Sequence, residues 1–231
     1  MTGVELRQAR KQRGWTQVKT SQRLKVTQAY VSMLERERRL VPSRLARRAV
    51  KALAAPALAL PLEPVNGTQW DAASEDDFAQ ELGTLGYVGY GYLKGTHPRW
   101  NPANLLLAML TRPQLDARLR EALPWLPFRH QEMDWGWVTS QAKLHDVQNR
   151  LGFVLTLATA LSQKKNPSAV AKLENSLDAL WRARLAKEDT LCHESMTQVE
   201  RRWLRSNRPP AAEQWNLLTD LKVEHLADAN Y

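Results

Sequence analysis

The chain has 231 residues, of which 43% are apolar and 25% charged, a composition typical of folded globular proteins. Its longest apolar runs, such as residues 105–110, are far shorter than the ~20 residues of a membrane-spanning helix, and no secretory signal follows the charged N-terminus. A single cysteine, Cys192, excludes an internal disulfide and a zinc site built from several thiolates. We therefore expect a cytoplasmic protein without a metal or cofactor.

The net charge of +9 is concentrated in the first quarter of the chain. Residues 1–56 carry 14 Lys or Arg and 3 Asp or Glu, whereas the remaining residues carry 19 and 21, so the two parts have charges of +11 and −2. A mixed, solvated surface does not explain this asymmetry. A small cationic unit joined to a near-neutral body favours a head that binds a polyanion.

Four to five short helices are predicted in residues 5–53. Gly14 ends the first helix, Thr16 caps the second, residues 25–26 form a tight turn, and Thr27 caps the third. Two short helices joined by such a turn are typical of a helix-turn-helix unit. The predicted helices span residues 5–13, 17–24, 28–35 and a segment that opens at Pro42 and Ser43.

Residues 6–17 and 24–36 resemble the XRE family, which includes Cro and the phage repressors. The first segment, Leu-Arg-Gln-Ala-Arg-Lys-Gln-Arg-Gly-Trp-Thr-Gln, is similar to the family pattern Arg-x-x-x-Gly-Leu-Ser/Thr-Gln, and the second ends in Glu-Arg as the family's Glu-Arg-Gly does. The sequence departs from the family where Lys25 and Glu37 replace glycines, and where Thr20 and Ser21 replace the usual Leu-Ala. The resemblance covers about 50 residues and implies the fold of a helix-turn-helix domain.

The resemblance implies that the third helix enters the major groove and presents its N-terminal residues to the base edges. The Gln28 amide can donate and accept together, as the N6/N7 edge of adenine requires, and Ala29 and Met33 could touch a thymine methyl. Ser32 and Tyr30 could reach a base or a phosphate. The candidate base-contacting residues are Thr27, Gln28, Ala29, Tyr30, Ser32 and Met33.

Phosphate contacts are expected on both sides of the recognition helix. Gln17 resembles the family's phosphate-clamping glutamine at the N-terminus of the second helix, where the helix end is positive. Four arginines surround the end of the recognition unit and the start of the fourth helix. The candidate phosphate-contacting residues are Gln17, Arg36, Arg38, Arg39 and Arg44.

Other residues of this domain have structural interpretations. Arg10 and Glu35 match a pair that in this family ties helix one to helix three, and we interpret them as a structural salt bridge. The predicted core residues are Leu6, Trp15, Leu24, Val31 and Leu34.

A linker separates two predicted domains. The stretch from residue 54 to residue 67 contains three prolines and few charges, which favours an extended chain. We therefore predict a helix-turn-helix domain over residues 1–55, a Pro-rich linker over 56–69, and a helical partner-binding or oligomerisation domain over 70–231.

The body after the linker has helical periodicity almost throughout. Asn101 and Pro102 open a helix, the leucines from Leu115 to Leu123 predict another that stops near Pro124, and a long apolar stripe runs over residues 134–162. A second stripe covers residues 173–185 and resumes at 191–203, and a last helix covers about 211–227. No segment alternates as a strand would. The expected class is all-α, with a five-helix N-terminal domain and a larger C-terminal bundle.

One segment of the body is not helical in pattern. Residues 83–95 contain five glycines and three tyrosines, and predict either a short β-hairpin or an aromatic loop. The glycine spacing superficially resembles a phosphate-binding loop, but no apolar strand precedes it and no helix follows at once. A structural or partner-contacting loop is the preferred interpretation.

Candidate chemistry in the body is weak. His130 and Glu132 lack the Pro-Cys-x-x-Cys partner of a deaminase site, and residues 192–194 are sequence neighbours whose side chains do not converge in a helix. His145, Asp146, Asn149 and Arg150 form a polar face that suits a buried network or a partner-binding edge better than catalysis. We expect no enzyme activity, no catalytic residue and no metal ligand.

A single helix-turn-helix module binds DNA weakly, so we expect a homodimer on two half-sites of a palindromic operator in double-stranded DNA. Dimerisation through the fourth helix, the linker or the apolar stripe of residues 134–205 stays open. Packing of an antiparallel helix pair within the chain is the preferred explanation of that stripe.

The sequence predicts a sequence-specific transcriptional repressor, bacterial and associated with the nucleoid. In the first hypothesis it is the antitoxin and autoregulator of a toxin–antitoxin or phage-defence operon, and its Trp-rich body binds and neutralises a cognate toxin. The architecture is similar to that of the long XRE antitoxins, although the body itself is unassigned. The alternative is a stand-alone or ligand-responsive XRE regulator with a pocket near residues 83–95. An enzyme with an accessory DNA-binding head would need a catalytic cluster that the sequence does not offer.

Overall fold

A computed structural model describes residues 1–65, 70, 72–165 and 167–226. Within those ranges the backbone forms fourteen delimited α-helices, two short 3-10 helices and one pair of two-residue strands. The prediction of an all-α protein is confirmed. None of the helices described is long and apolar enough to cross a bilayer.

The chain divides into two compact units between Glu63 and Pro64. One unit comprises Met1–Glu63 with Gly95–Asn101, and the other comprises Pro64–Lys94 with Pro102–Tyr231.

Part of the predicted linker is folded rather than extended. Ala57–Ala59 forms one turn of 3-10 helix, and Leu60 is buried against the core of the first unit. The amide nitrogen of Asn101 donates to the carbonyls of Leu58 and Leu60 at 3.0 and 2.8 Å. The expectation of an extended chain was therefore wrong for residues 57–59, because apolar side chains between the prolines pack on a buried surface. Residues 66–69 of the linker lie outside the described residues.

Four α-helices and the 3-10 turn build the first unit, and the turn lies beyond residues 5–53, for which four to five helices were predicted. A capping box at Thr2 and Glu5 opens the first helix, since each side chain accepts the other residue's backbone N–H. The helices are α1 (Gly3–Gln12), α2 (Gln17–Leu24), α3 (Gln28–Glu35) and α4 (Ser43–Leu53).

The core of the first unit contains most of the residues predicted for it. Leu6, Leu24, Val31 and Leu34 have no solvent exposure, as predicted. Trp15 is the exception, because it is only partly buried at the edge of this core and carries Lys19 and Arg23 over its ring.

The second unit is built from ten delimited helices and a minimal sheet. Strands β1 (Asp189–Thr190) and β2 (Leu217–Leu218) pair in parallel, with Asp189 opposite Leu217. A 3-10 helix covers Val88–Leu93. The α-helices are α5 (Glu75–Leu85), α6 (Pro102–Leu110), α7 (Ala117–Ala122), α8 (Trp125–Arg129), α9 (Trp135–Leu144), α10 (Gln148–Lys165), α11 (Pro167–Trp181), α12 (Gln198–Asn207), α13 (Pro210–Gln214) and α14 (Val223–Leu226).

Three long helical patterns are interrupted in the structure. The stripe of residues 134–162 is divided between α9 and α10 by Asp146, whose φ is 56°. The stripe that begins at Leu173 stops at Trp181 and gives way to β1. The last predicted helix is divided into α13, β2 and α14, with Asn216 at φ 52° between the first two. Left-handed backbone at residues other than glycine causes two of these breaks.

The Gly/Tyr segment (residues 83–95) includes a 3-10 helix, so the hairpin alternative was wrong. A Cβ on Gly83 would lie 2.2 Å from the carbonyl oxygen of Tyr90, so α5 and this segment touch through backbone. The Tyr87 ring meets the edge of the Trp125 ring with 5.3 Å between centroids. The segment is an aromatic loop that packs on the body.

Helix α10 lies at the centre of the second unit and anchors it by polar groups. Arg150 donates to both carboxylate oxygens of Asp189 at 2.6 and 2.9 Å, and to the carbonyls of Leu110 and Arg112 at 2.9 Å each. Asn149 hydrogen bonds to both the carbonyl and the N–H of the Leu185 backbone. Asn149 and Arg150 thus form the buried network that was one of the two sequence interpretations.

Candidate nucleic-acid interface

The start of each helix in the helix-turn-helix is fixed by a threonine side chain. The Thr16 hydroxyl accepts the backbone N–H of Lys19 at 3.1 Å, and the Thr27 hydroxyl accepts that of Tyr30 at 3.2 Å. Each cap satisfies a donor that has no partner within its own helix. The predicted starts of α2 and α3 are thereby confirmed.

The turn between α2 and α3 closes without glycine. Lys25 lies in the left-handed region at φ 51° and ψ 52°, and the N–H of Val26 donates to the carbonyl of Ser21 at 3.0 Å. This hydrogen bond satisfies a carbonyl at the end of α2 and sets the direction in which the chain enters α3.

A continuous chain of hydrogen bonds runs from the interior to the tip of the recognition helix. Arg10 donates to both Glu35 oxygens at 2.5 and 2.9 Å and to the carbonyl of Trp15 at 2.8 Å. Glu35 also accepts the Gln17 amide at 2.9 Å. The Gln17 oxygen then accepts the Gln28 amide at 2.7 Å. The predicted Arg10–Glu35 pair is confirmed, and it connects to both glutamines through side chains that the sequence did not show to be linked.

The charge of Glu35 is maintained although the residue is buried. Burial opposes ionisation, but hydrogen bonds from Arg10 and Gln17 and the positive charge of Arg10 outweigh it, and the pKa of Glu35 is lower than its ordinary value. A carboxylate only accepts hydrogen bonds, so it fixes the Gln17 amide with NH₂ toward Glu35 and oxygen toward Gln28. Gln28 therefore retains one N–H and its oxygen for other partners.

The six candidate base-contacting residues differ in exposure. Thr27, Gln28 and Ala29 are exposed at the start of α3, and Ser32 and Met33 are half-buried. Tyr30 is half-buried and packs against the core, so much of its ring serves the fold. The Thr27 hydroxyl is already the acceptor of the α3 cap.

The candidate phosphate-contacting arginines are exposed. Within residues 1–65, no side-chain hydrogen bond or ion pair engages any of the four, whereas Arg47 on α4 binds Glu63. Gln17 is half-buried, with one amide N–H engaged by Glu35. The available arginines are Arg36, Arg38, Arg39 and Arg44.

Two further cations of α2 were missed by the sequence reasoning. The Lys19 nitrogen lies 5.2 Å from the Trp15 ring centroid and the Arg23 guanidinium carbon 5.9 Å from it, which holds both side chains against one ring. Lys19 and Arg23 are four residues apart on α2 and so share a helix face, and Trp15 lies just before the Thr16 cap; this spacing was the available signal.

Two candidate chemical groups of the body, Cys192 and His130, have pKa values shifted by burial. Burial raises the pKa of the Cys192 thiol to about 11, and burial with the nearby Arg129 lowers the pKa of His130 to about 4. Neither group is therefore ionised near neutral pH. Among the described residues, no cluster of three or more His, Cys, Asp or Glu could hold a metal ion.

Comparison with known proteins identifies the first unit. Residues 6–57 match the helix-turn-helix family model, and the match ends before the helical body, which is unassigned. No curated protein and no solved structure is significantly similar to the chain. Residues 6–57 are therefore a helix-turn-helix domain of the XRE type, which is a DNA-binding module.

Proposed function

We propose that the protein is a sequence-specific transcriptional repressor, and that it is the antitoxin and autoregulator of a toxin–antitoxin or phage-defence operon. The observation that carries the first part is the hydrogen-bonded chain from Arg10 through Glu35 and Gln17 to Gln28. It holds an exposed amide in one orientation at the start of α3, where the family reads bases in the major groove.

The mechanism of base recognition follows from the unused atoms of Gln28. Its second N–H and its oxygen match the N7 acceptor and N6 donor of adenine, and a bidentate pair of this kind contributes ~1–3 kcal/mol of discrimination. Gln17 keeps one N–H for a phosphate at the positive end of α2. The exposed arginines hold the adjacent backbone and fix the register of α3 on the duplex.

The experiment is selection of an operator from random duplexes with the full-length protein, followed by affinity measurements on single-base variants. Gln28→Ala should weaken binding to the best duplex and relax preference at one base position by ~1–3 kcal/mol. Arg38→Ala should weaken binding to all DNA sequences alike. If no preferred sequence emerges, or if Gln28→Ala leaves every preference unchanged, the docking of α3 is wrong.

The proposal that the body binds a toxin is supported by exposed aromatic residues. Trp203 is 56% exposed, and Trp181 is 46% exposed with the Arg184 guanidinium stacked 4.4 Å from its ring centroid. Tryptophan and arginine dominate protein interface hot spots, because they bury a large area and keep a polar group. Purification from the host should yield a stoichiometric protein partner. A partner-free homodimer would contradict the antitoxin role and leave the repressor role intact.

The alternative, a ligand-responsive regulator, is favoured by a cavity of about 420 Å³ in the body. It is lined by residues that include His145, Asp146 and Lys187, and its lining does not include the predicted Gly/Tyr segment. Catalysis is not part of either proposal. We further propose that the repressor binds a palindromic operator as a homodimer.

A further inference from the structure

A second cavity, of about 290 Å³, lies in the second unit. Residues of α7 and α12 and residues near 193–196 and 219–220 line it. We call it the α12 cleft. Its volume is at the lower end of the ~300–1,000 Å³ range of small-molecule sites, so it suits a ligand the size of one amino acid rather than a nucleotide. The lining residues are Arg120, His193, Met196, Glu200, Trp203, Leu204, Thr219 and Asp220.

One positive group of the cleft has no partner. The Arg120 Nε is buried without a hydrogen bond, and no carboxylate within the described residues lies within 4.0 Å of this guanidinium. Burial and the neighbouring Arg120 lower the pKa of His193, so this histidine is neutral at pH 7 and adds no charge. A buried N–H donor without a partner is unusual, and Arg120 lines the cleft, so its guanidinium is the cation that a ligand carboxylate would meet there.

Two carboxylates, those of Glu200 and Asp220, also line the cleft. Asp220 is exposed and makes no side-chain hydrogen bond or ion pair in the part of the chain described. Glu200 uses one oxygen, Oε2, to accept the N–H and hydroxyl of Thr197 at 2.6 and 2.7 Å. Its second oxygen is left without a hydrogen bond there, so an ammonium group would find acceptors on both residues.

Apolar side chains complete the lining. Met196 and Leu204 are buried with 7% exposure each and belong to one cluster with Leu218. Trp203 lines the same cleft with 56% of its surface exposed. The cleft therefore offers a cation, two anions and an apolar surface within the reach of one small molecule.

We propose that the α12 cleft binds a small zwitterion of the α-amino acid class with an apolar side chain. The carboxylate of the ligand pairs with Arg120, its ammonium with Asp220 and Glu200, and its side chain packs on Met196, Trp203 and Leu204. In the larger cavity the Arg150 guanidinium is already engaged by Asp189 and two carbonyls, so Lys187 and His145 are the basic residues of its lining that remain. This site is separate from DNA recognition and does not depend on the proposed function.

The test uses the methyl signals of the five methionines of the full-length protein, observed by NMR with ¹³C-labelled methionine. Titration with L-leucine should shift the Met196 signal saturably with a Kd of about 1 mM or below, and leave Met33 and Met133 unmoved. N-acetyl-leucine lacks the ammonium and leucinamide lacks the carboxylate, and each should bind at least about tenfold more weakly.

Matched variants locate the site. Asp220→Asn is a surface change that replaces one of the two carboxylates by a neutral amide, and it should weaken leucine binding about tenfold. Arg120→Met should abolish binding, provided that the Met109 and Met133 signals show an intact fold. Arg202→Met is the control, because Arg202 is exposed on α12 and does not line the cleft.

Three outcomes would overturn the proposal. One is a Met196 signal that does not move at about 10 mM leucine, and another is an equal response to all three compounds. The third is a Met196 signal that shifts when a partner protein binds but does not shift when leucine is added. That result would assign the cleft to protein docking.

Discussion

Lys25 and Glu37 stand at backbone positions with φ of 51° and 55°, where the XRE family usually has glycine. Left-handed backbone destabilises a residue that has a Cβ by ~1–2 kcal/mol, and glycine avoids this strain. Glycine also loses more conformational entropy on folding, which offsets about 0.5–1 kcal/mol of the gain. Lys25→Gly should therefore stabilise the first unit by about 0.5–1 kcal/mol. Urea unfolding followed through the Met33 methyl signal measures this change.

Lys51→Gly is the matched control for that substitution. It removes the same charge from an exposed lysine, but at a right-handed position in the last turn of α4. Glycine there should destabilise the unit by about 1 kcal/mol. If both variants lose stability equally, strain at the turn is not the reason for the effect of Lys25.

Gly152 illustrates a residue whose role only packing explains. A Cβ at this position would lie 2.4 Å from the ring of Trp215, which is fully buried and donates its N–H to the Thr156 hydroxyl at 2.9 Å. Gly152→Ala should destabilise the second unit by ~1–3 kcal/mol, because the ring must move within a filled core. Thermal unfolding measures the loss.

Gly136 on α9 provides the opposite case. The nearest atom to a Cβ there is an Asp134 oxygen at 3.5 Å, which is an ordinary contact. Gly136→Ala should raise stability by up to ~1 kcal/mol, because alanine is the better helix former. A loss at Gly136 as large as that at Gly152 would contradict the packing argument.

At the scale of elements, α1, α2 and α3 are joined by the Glu35 carboxylate. Its pKa in the folded state is below the unfolded value of ~4.3, so its contribution is complete above that value and is lost as the pH falls through the folded pKa. The first unit should therefore lose stability below about pH 5. Urea midpoints from the Met33 signal at several pH values measure this dependence.

Glu35→Gln isolates the contribution of this carboxylate. The variant should be less stable at pH 7, because Arg10 loses its partner, and its stability should depend less on pH below about pH 5. Glu188 and Glu200, whose pKa values are also lowered, lie in the second unit and are unchanged in this variant, so the comparison with the wild-type protein isolates Glu35. An unchanged pH dependence in the variant would show that other groups govern acid unfolding.

At the scale of the whole molecule, the charge asymmetry predicts how salt affects DNA binding. Each phosphate contact contributes about −0.9 to the slope of log K against log salt concentration, since it releases a counterion. Arg38→Ala should reduce the steepness of that slope by about 0.9 and weaken all sequences alike. Arg202→Ala, an exposed change in the near-neutral body, should leave the slope unchanged. If both substitutions reduce the slope, the body also contacts DNA.

The sequence by itself determined the helix-turn-helix and most of its residues. Thr16, Thr27 and Gly14 act within one turn of their own helices, and leucines at helical spacing predict a buried face, so a linear pattern is sufficient to place them. The Arg10–Glu35 pair was also predictable, although only through the resemblance to a family. The link from Glu35 through Gln17 to Gln28 was not, because two amides of neighbouring helices meet only after the turn has closed.

The tertiary structure alone decided the arrangement of the body. Arg150 and Asp189 are 39 residues apart and Trp215 fills the space that Gly152 leaves, and neither relation has a local pattern. The breaks at Asp146 and Asn216 use left-handed backbone, which Asp and Asn tolerate better than most residues, but these residue types are too common to mark a break by themselves. Local hydrogen bonds and helical periodicity involve residues that are close in sequence, so the sequence predicts them. Packing between distant segments depends on shapes that exist only in the folded chain.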